Sequence, residues 1–295
     1  MKAWIKAARL RTLPLAFSCI ITGTACAMLV GKFDAIILIL ALLTTLLFQV
    51  LSNFANDYGD AVSGKDNENR IGPDRMVAKG AISKEEMKKG MILTGILSFT
   101  SALALVIYAF QNWIFILVFL LLGLLSIWAA ITYTVGKNPY GYMGLGDIFV
   151  FLFFGLVGVG ACYFLYTKSF DWLVLLPSAT MGLLAASVLN LNNMRDIDND
   201  SATGKNTLVV KIGLQNAKTY HAAILIIAFL SMIAFSLAYG LKNQQYLFLL
   251  TAPYFGHILK RVLQINKPVE MDPFLKKTAL ATFIFSILFL IATFI

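Results

Sequence analysis

The sequence carries little charge for its length. Only 13% of its 295 residues are Asp, Glu, Lys or Arg, whereas 59% are hydrophobic. Soluble domains carry about 25% charged residues, so this composition excludes an ordinary soluble domain and indicates an integral membrane protein. Cysteine is scarce too: Cys19, Cys26 and Cys162 all lie in apolar runs without a Cys-x-x-Cys pair. This placement predicts buried packing thiols and argues against a disulfide framework.

Histidine is nearly missing. His221 and His257 both lie far along the chain from the polar clusters described below, so the thiolate and imidazole ligands of zinc and haem sites are not expected. No serine or cysteine stands next to a histidine, which leaves nucleophilic catalysis without support. A phosphate-binding P-loop is excluded because Asn199 occupies the position of the glycine that should precede Gly204-Lys205.

The chain contains many long apolar runs. Nine of them are near the ~20 residues that a helix needs to cross the hydrocarbon core. They cover residues 13–31, 35–56, 91–110, 113–133, 146–167, 172–191, 217–239, 245–263 and 277–295. Alternating strands of the barrel type are not evident, so helices are expected to satisfy the backbone in lipid. The sequence predicts an all-α polytopic membrane protein with nine transmembrane helices in one domain over residues 1–295.

The basic residues are distributed unevenly between the loops. When the loops are assigned alternately to two sides, 21 of the 24 lysines and arginines fall on one side. The positive-inside rule places that side in the cytoplasm, so the N-terminus is expected on the cytoplasmic side of the cell membrane and Ile295 on the outer side. The orientation of the protein in the membrane then explains most of its net charge of +9, so this charge does not require a nucleic-acid partner. Residues 58–90 and 192–216 become cytoplasmic loops, and residues 1–12 an interfacial segment.

The first residues also mimic a signal peptide, with a basic start and an Ala-Cys-Ala site at residues 25–27. Removal of the first span would invert the charge asymmetry of all the others, so this segment is expected to be retained. In the first long loop, Ser83 and Glu86 have the spacing of a capping box, which predicts a helix starting there.

Two polar stretches interrupt the apolar pattern, each at the inner end of a predicted span. They are Asn53 to Asp66, NFANDYGDAVSGKD, and Asn192 to Asp200, NNMRDIDND. Both contain an Asn-x-x-x-Asp core, and spacings of three and four place such residues on one face of a helix. Carboxylates at the mouth of a membrane helix are costly unless a cation neutralises them. We therefore expect the two stretches to form two halves of one site.

Donors that are all oxygen suit Mg²⁺, which often shares its coordination shell with phosphate oxygens. The candidate metal ligands are Asn56, Asp57, Asp60, Asp66, Asn192, Asp196 and Asp200, of which Asp60, Asp66, Asp196 and Asp200 are the candidate catalytic residues. Lys205, Arg75 and Arg195 could bind a diphosphate at the same place. The alternative, that the acids only cap helices and pair with basic residues, explains poorly why two matching clusters occur at corresponding positions.

These motifs resemble the UbiA superfamily of intramembrane prenyltransferases. Its two aspartate-rich motifs are similar to NDYGDAVSGKD and NNMRDIDND. Further stretches resemble the branch that acts on 1,4-dihydroxy-2-naphthoate in menaquinone synthesis: RLRTLPLA at 9–16, NDYGDAVSGKDNENRIGPDR at 56–75, YTVGKNPYGYMGLGDIFVFLFFG at 133–155 and NNMRDIDNDSATGKNTL at 192–208. Five residues separate Asp60 from Asp66, not the three of the 4-hydroxybenzoate relatives. This spacing favours the naphthoate branch and leaves open whether Asp57 or Asp66 is the third carboxylate.

The resemblance implies a UbiA-type helical bundle that transfers a polyprenyl group from polyprenyl diphosphate to 1,4-dihydroxy-2-naphthoate, with Mg²⁺ as cofactor and loss of CO₂. It also implies an apolar channel, open to the lipid bilayer, for the prenyl tail. Tyr133, Lys137 and Asp147 become candidates for binding the acceptor, whereas Tyr140 and Tyr142 are equally well explained as interfacial aromatic residues. Two alternatives stay open: a related enzyme with another aromatic acceptor, and a cation-coupled transporter, which the position of the acids at one face disfavours.

Overall fold

The computed structural model describes residues 1–65, 72 and 74–295. This part of the chain is helical and contains no β-strand. The α-helices are α1 (Lys2–Ala8), α2 (Leu13–Leu29), α3 (Ala35–Val62), α4 (Lys84–Ala109), α5 (Trp113–Thr132), α6 (Gly146–Val150), α7 (Cys162–Thr167), α8 (Leu175–Arg195), α9 (Ile197–Ala202), α10 (Leu208–Tyr239), α11 (Ala252–Gln264) and α12 (Asp272–Ala292). A wider π-helical segment, Phe151–Ala161, joins α6 to α7. The prediction of an all-α protein is confirmed.

Eight helical segments in the described part of the chain are long and apolar enough to cross a membrane. The ninth predicted span, 245–263, is instead a 3₁₀ turn, Leu247–Thr251, followed by the 13 residues of α11. This helix is amphipathic: Ile258 and Val262 are buried, whereas its opposite face is polar. The protein is therefore a multi-pass membrane protein with one span fewer, by length and composition, than the nine that hydropathy predicts.

Side chains cap several helix ends, as local sequence signals predict. The Glu86 amide donates to Ser83 Oγ (3.1 Å) and the Ser83 amide donates to Glu86 Oε2 (2.8 Å). The predicted capping box is thus confirmed at the start of α4. Asp34 caps α3 as a single side chain, because its carboxylate accepts the amide hydrogens of Ile36 and Ile37.

The main core lies where α2, α8, α10 and α12 pack together with the π-helical segment. Glycines allow the backbones to approach closely here. A Cβ atom on Gly155 would lie 2.5 Å from the Ser178 carbonyl oxygen, and one on Gly23 would lie 2.6 Å from that of Val159. The three cysteines are all buried and unoxidised, which confirms that they are packing thiols. Helices α3, α4 and α5 form the other half of the bundle.

The connections that the sequence assigns to the inner side meet at one end of this bundle. Asn53 Nδ2, on α3, donates to the carbonyl oxygen of Ala8 at the end of α1 (2.9 Å). Arg195, at the end of α8, pairs with Asp272 at the start of α12 (2.7 Å). Both polar stretches are therefore brought to the same end of the bundle, beside the N-terminal segment.

Candidate active site

A polar cavity of about 670 Å³ opens at this end of the bundle. Its lining draws on both polar stretches and on the connections around them. Among the described residues the lining includes Asn56, Asp60, Asn192, Asp196, Asp200, Arg75, Tyr133, Tyr142 and Lys205. The ends of α3 and α8 thus present their Asn-x-x-x-Asp cores to one cavity. Asp66, also predicted as a ligand, lies outside the described residues.

Asp60 is the centre of the polar contacts, and its side chain is only 1% exposed. Its Oδ2 atom accepts a hydrogen bond from Arg75 Nη2 (2.5 Å), and its Oδ1 atom accepts one from Lys205 Nζ (2.8 Å). The Tyr142 hydroxyl also donates to Oδ1. One carboxylate therefore contacts two cations, and charged donors of this kind suit an anionic group.

Tyr142 belongs to the site, although an interfacial role explains it equally well from sequence alone. Burial and the nearby Asp60 carboxylate raise the pKa of the Tyr142 hydroxyl above its usual value. The group therefore stays protonated and remains a hydrogen-bond donor. Lys205 Nζ lies over its ring, 5.0 Å from the centroid. The adjacent backbone is fixed as well, because the Asn206 amide donates to the Tyr142 carbonyl oxygen (2.9 Å).

Asp57 is predicted to bind a metal ion, but in the structure its carboxylate binds backbone amides. Its two carboxylate oxygens accept the backbone amide hydrogens of Met76 (2.9 Å) and Val77 (3.1 Å), and its side chain is fully buried. Asp57 thereby anchors the connection that carries Arg75. The difference arises because Asn56 and Asp60 form one stripe on α3, facing the cavity, whereas Asn53 and Asp57 form a second stripe that faces other parts of the chain.

Arg195 also departs from its predicted role as a diphosphate-binding cation. It is 1% exposed. Its Nε and Nη2 atoms donate to the two oxygens of Asp196 (2.8 and 2.7 Å), and Nη2 also donates to Asn192 Oδ1 (2.9 Å). Nη1 donates to Asp272 Oδ1 (2.7 Å). A bidentate pair of this kind is rigid, so Arg195 fixes the orientation of the Asn192 and Asp196 side chains.

The short helix α9 and the turn after it close the cavity against α3. Asp200 is buried and lines the cavity, and its carbonyl oxygen accepts the amide hydrogen of Lys205 (2.8 Å). Lys65, after the end of α3, donates through Nζ to the Thr203 carbonyl oxygen. These contacts direct the Lys205 side chain back toward Asp60.

The three candidates for the acceptor side are placed differently. Tyr133 lines the polar cavity. Asp147 is buried at the first turn of α6, where it accepts a hydrogen bond from the Tyr220 hydroxyl of α10 (3.2 Å). Lys137 is exposed in the connection between α5 and α6. Gly59 lets this connection pack on α3, since a Cβ atom there would lie 2.5 Å from the Thr134 carbonyl oxygen.

A second cavity of about 360 Å³, mostly apolar, adjoins the first and lies within the bundle. Its walls come from α2, α3, α4, α5 and the π-helical segment. On α3 it extends from Asn56 to Ala41, a distance of ~22 Å at 1.5 Å per residue. The two cavities share part of their lining, which we call the junction: Gln49, Asn56, Tyr133, Val150, Phe154 and Leu189. A polar cavity and an apolar cavity thus lie next to each other and share these residues.

The sequence is similar to proteins of known activity. Residues 16–293 match the sequence model of the UbiA prenyltransferase family. The chain is 46% identical over 291 residues to 1,4-dihydroxy-2-naphthoate octaprenyltransferase of Haemophilus influenzae, covering 98% of this chain and 94% of that protein. It is 46% identical over 294 residues to the protein of the same name from Escherichia coli, covering 100% of this chain and 96% of that protein.

Solved structures share the fold at much lower identity. The apo structure of a UbiA homologue from Aeropyrum pernix superposes with a TM-score of 0.69 at 19% identity, covering 94% of this chain and 98% of that one. A UbiA homologue from Archaeoglobus fulgidus bound to GPP and Mg²⁺ gives a TM-score of 0.63 at 18% identity, covering 97% and 98%. By its sequence, its fold and the paired polar stretches at one end of its bundle, this chain belongs to the UbiA prenyltransferase family.

Proposed function

We propose that this protein transfers a polyprenyl group from polyprenyl diphosphate to 1,4-dihydroxy-2-naphthoate, releasing diphosphate and CO₂. The observation that carries the proposal is the junction, where a cavity lined by cations and carboxylates adjoins an apolar cavity. The names of the two relatives at 46% identity support this choice of acceptor. We place the active site at the cytoplasmic face of the cell membrane, because the basic loops surround it.

The donor diphosphate binds beside Asp60. Arg75 and Lys205, which both contact this carboxylate, can turn part of their hydrogen-bonding capacity to the phosphate oxygens. The Tyr142 hydroxyl supplies a neutral donor next to them. Fixed donors of this kind stabilise the charge that develops on a leaving group, and loss of one typically lowers the rate ~10²–10³-fold.

The residues around the cavity fit Mg²⁺ in chemistry and number. Within the described ranges no three Asp, Glu, His or Cys side chains form a ready-made metal cage, and Mg²⁺ usually binds through one or two carboxylates together with substrate phosphates. The residues that would hold it are Asn56, Asp60, Asn192, Asp196 and Asp200, with Asp66 as a further candidate from the sequence. When bound, the ion would supply positive charge to the leaving diphosphate.

Charge separation occurs at the junction. The allylic C–O bond breaks as its electrons leave with the diphosphate, and the prenyl tail lies in the apolar cavity, whose walls keep water from the carbocation. The acceptor ring carbon that bears the carboxylate forms the new C–C bond. Loss of CO₂ then returns the C–C bonding electrons to the ring and restores its aromaticity, so this step does not require a base to remove a ring proton.

Carboxyl-labelled acceptor tests this reaction directly. Purified membranes containing the protein, with polyprenyl diphosphate and Mg²⁺, are expected to release one labelled CO₂ for each prenyl group transferred to 1,4-dihydroxy-2-naphthoate. Membranes containing the Asp60→Asn protein provide the background, and 4-hydroxybenzoate is expected to be a poor acceptor. Label retained in the prenylated product, or a preference for 4-hydroxybenzoate, would contradict the assignment and favour another aromatic acceptor.

The transporter interpretation of the acidic clusters is not supported. The relatives at high identity are prenyltransferases, and Asp60 and Asp196 lie at the ends of their helices. Ion-coupled transporters instead bind substrate and ion near the bilayer midplane, on discontinuous helices.

A further inference from the structure

Gln49 is a polar residue of the junction to which the proposed chemistry gives no role. It lies on α3, seven residues before Asn56, and therefore on the same face of the helix. Its side chain lines both cavities. Its amide makes no hydrogen bond to any other described residue, although it lies between apolar walls where an unpaired amide is unfavourable. An amide kept in such a place suggests a partner that arrives from outside the chain.

Two further polar groups of the junction also have hydrogen-bonding capacity to spare. Asn56 Oδ1 accepts from Thr134 Oγ1 (3.1 Å), whereas its Nδ2 group has no partner within the described ranges. The Tyr133 hydroxyl likewise has no hydrogen bond to a described residue. It lies near Gly146, where an added Cβ atom would be 3.2 Å from it. The junction thus offers several neutral hydrogen-bonding groups in a small space.

The rest of the junction is apolar. Val150, Phe154 and Leu189 complete its lining. Neutral donors and acceptors beside apolar side chains, one of them the aromatic ring of Phe154, suit a planar ring that bears hydroxyl groups. They suit the diphosphate less well, because its charge is met by Arg75 and Lys205 in the polar cavity. They also do not suit the prenyl tail, which has no polar atom to bind.

We propose that Gln49, together with Tyr133, hydrogen-bonds the ring hydroxyl groups of the aromatic acceptor and orients its reactive carbon toward the donor. This inference rests on the proposed function and adds the residues that select the acceptor. Gln49 is well suited to this role, since one amide can donate to one hydroxyl oxygen and accept from its hydrogen. A site built around such hydrogen bonds discriminates strongly against an acceptor that lacks the hydroxyl.

The test compares Gln49→Leu and Gln49→Met with the wild type, using Gln111→Leu as a matched control that removes an exposed amide in the connection between α4 and α5. Both Gln49 variants are expected to raise the KM for 1,4-dihydroxy-2-naphthoate by up to about 10-fold, as loss of one neutral hydrogen bond predicts. The KM for polyprenyl diphosphate should stay within about twofold. The preference for 1,4-dihydroxy-2-naphthoate over 1-hydroxy-2-naphthoate, measured as a ratio of kcat/KM, should fall by a similar factor.

A binding measurement separates this inference from the proposed reaction. Calorimetric titration of detergent-purified protein with 1,4-dihydroxy-2-naphthoate does not depend on turnover, so it decides the role of Gln49 even if the wild type transferred no prenyl group. Weaker acceptor binding by both variants, with thermal stability at least equal to that of the wild type, supports the inference. Unchanged acceptor binding, or an equal rise in the constants of donor and acceptor, would overturn it and leave prenyl transfer as a separate question.

Discussion

The two Asn-x-x-x-Asp cores use the same sequence pattern in different electrostatic settings. Asp60 pairs with Arg75 and Lys205, which lie 15 and 145 residues away and come from connections between helices. Asp196 pairs with its own neighbour Arg195, which is completely buried and also held by Asp272. The cations of the first core come from loops that border the cavity. The cation of the second core, Arg195, is buried at the end of α8.

Because of this difference, we expect the cations of the two cores to have different functions. Arg75 and Lys205 can exchange contacts with Asp60 for contacts with an arriving diphosphate, because the cavity lies beside them. Arg195 has no such freedom, since its guanidinium nitrogens bond to Asp196, Asn192 and Asp272. We therefore expect substitutions of the loop cations to change catalysis, and substitution of Arg195 to change stability first.

The largest effect is expected for Arg195→Ala. It leaves the buried Asp196 carboxylate without its cation, and breaking a buried ion pair by removing one partner costs roughly 3–5 kcal/mol. Thermal unfolding of purified protein should show a clear loss of stability, whereas the exposed Arg261→Ala, at the end of α11, should have little effect. Normal stability of Arg195→Ala together with a selective rise in the KM for polyprenyl diphosphate would instead make Arg195 a direct diphosphate ligand.

Asp60→Asn and Asp196→Asn test whether both cores serve one reaction. Each change keeps the shape of the side chain but removes a negative charge from the cavity. Turnover should fall at least ~10²-fold, which corresponds to about 2.7 kcal/mol of activation free energy. Activity is measured over a range of Mg²⁺ concentrations, and excess Mg²⁺ is expected to restore part of the loss. Wild-type turnover by either variant at limiting Mg²⁺ would show that its core is not part of a shared metal site.

Much of this architecture follows from local sequence signals. Apolar runs predict the helices, and spacings of three and four bring each polar stretch to a helix end. The sequence alone does not determine which face of α3 packs against which neighbouring segment. Asp57 is a buried anchor because the amides of Met76 and Val77 reach it, and Tyr142 joins the site because its connection folds over Asp60. Such pairings depend on tertiary packing between distant segments.

The shortened ninth span has a similar explanation. Residues 245–263 are apolar enough on average to suggest a membrane helix, yet the chain begins this stretch with 3₁₀ turns and places Pro253 in the first turn of α11. The helix buries one face against α12 and α10 and exposes a polar face. Average hydropathy does not reveal that one face of this helix is apolar and the other polar, whereas the spacing of its apolar residues does.

The smallest expected effect in this comparison concerns Lys205. Its Nζ atom contacts Asp60 at 2.8 Å and lies over the Tyr142 ring, but Arg75 holds the same carboxylate, so Asp60 keeps one cation when Lys205 is replaced. Lys205→Ala should therefore raise the KM for polyprenyl diphosphate, by about 10-fold for one lost charge-assisted contact, and leave the KM of the aromatic acceptor nearly unchanged. Lys205→Arg should recover part of the loss because it restores the charge.

The matched control is Lys211→Ala, since Lys211 Nζ donates to the Met143 carbonyl oxygen (2.6 Å) at the same end of the bundle. If Lys205 acts only by holding the turn after α9 against α3, both KM values should rise together and the two lysine variants should behave alike. If it binds diphosphate, the effect should be confined to the KM of the donor. The donor-to-acceptor ratio of KM values thus decides whether a loop cation at Asp60 binds substrate, which is the property that separates the first core from the second.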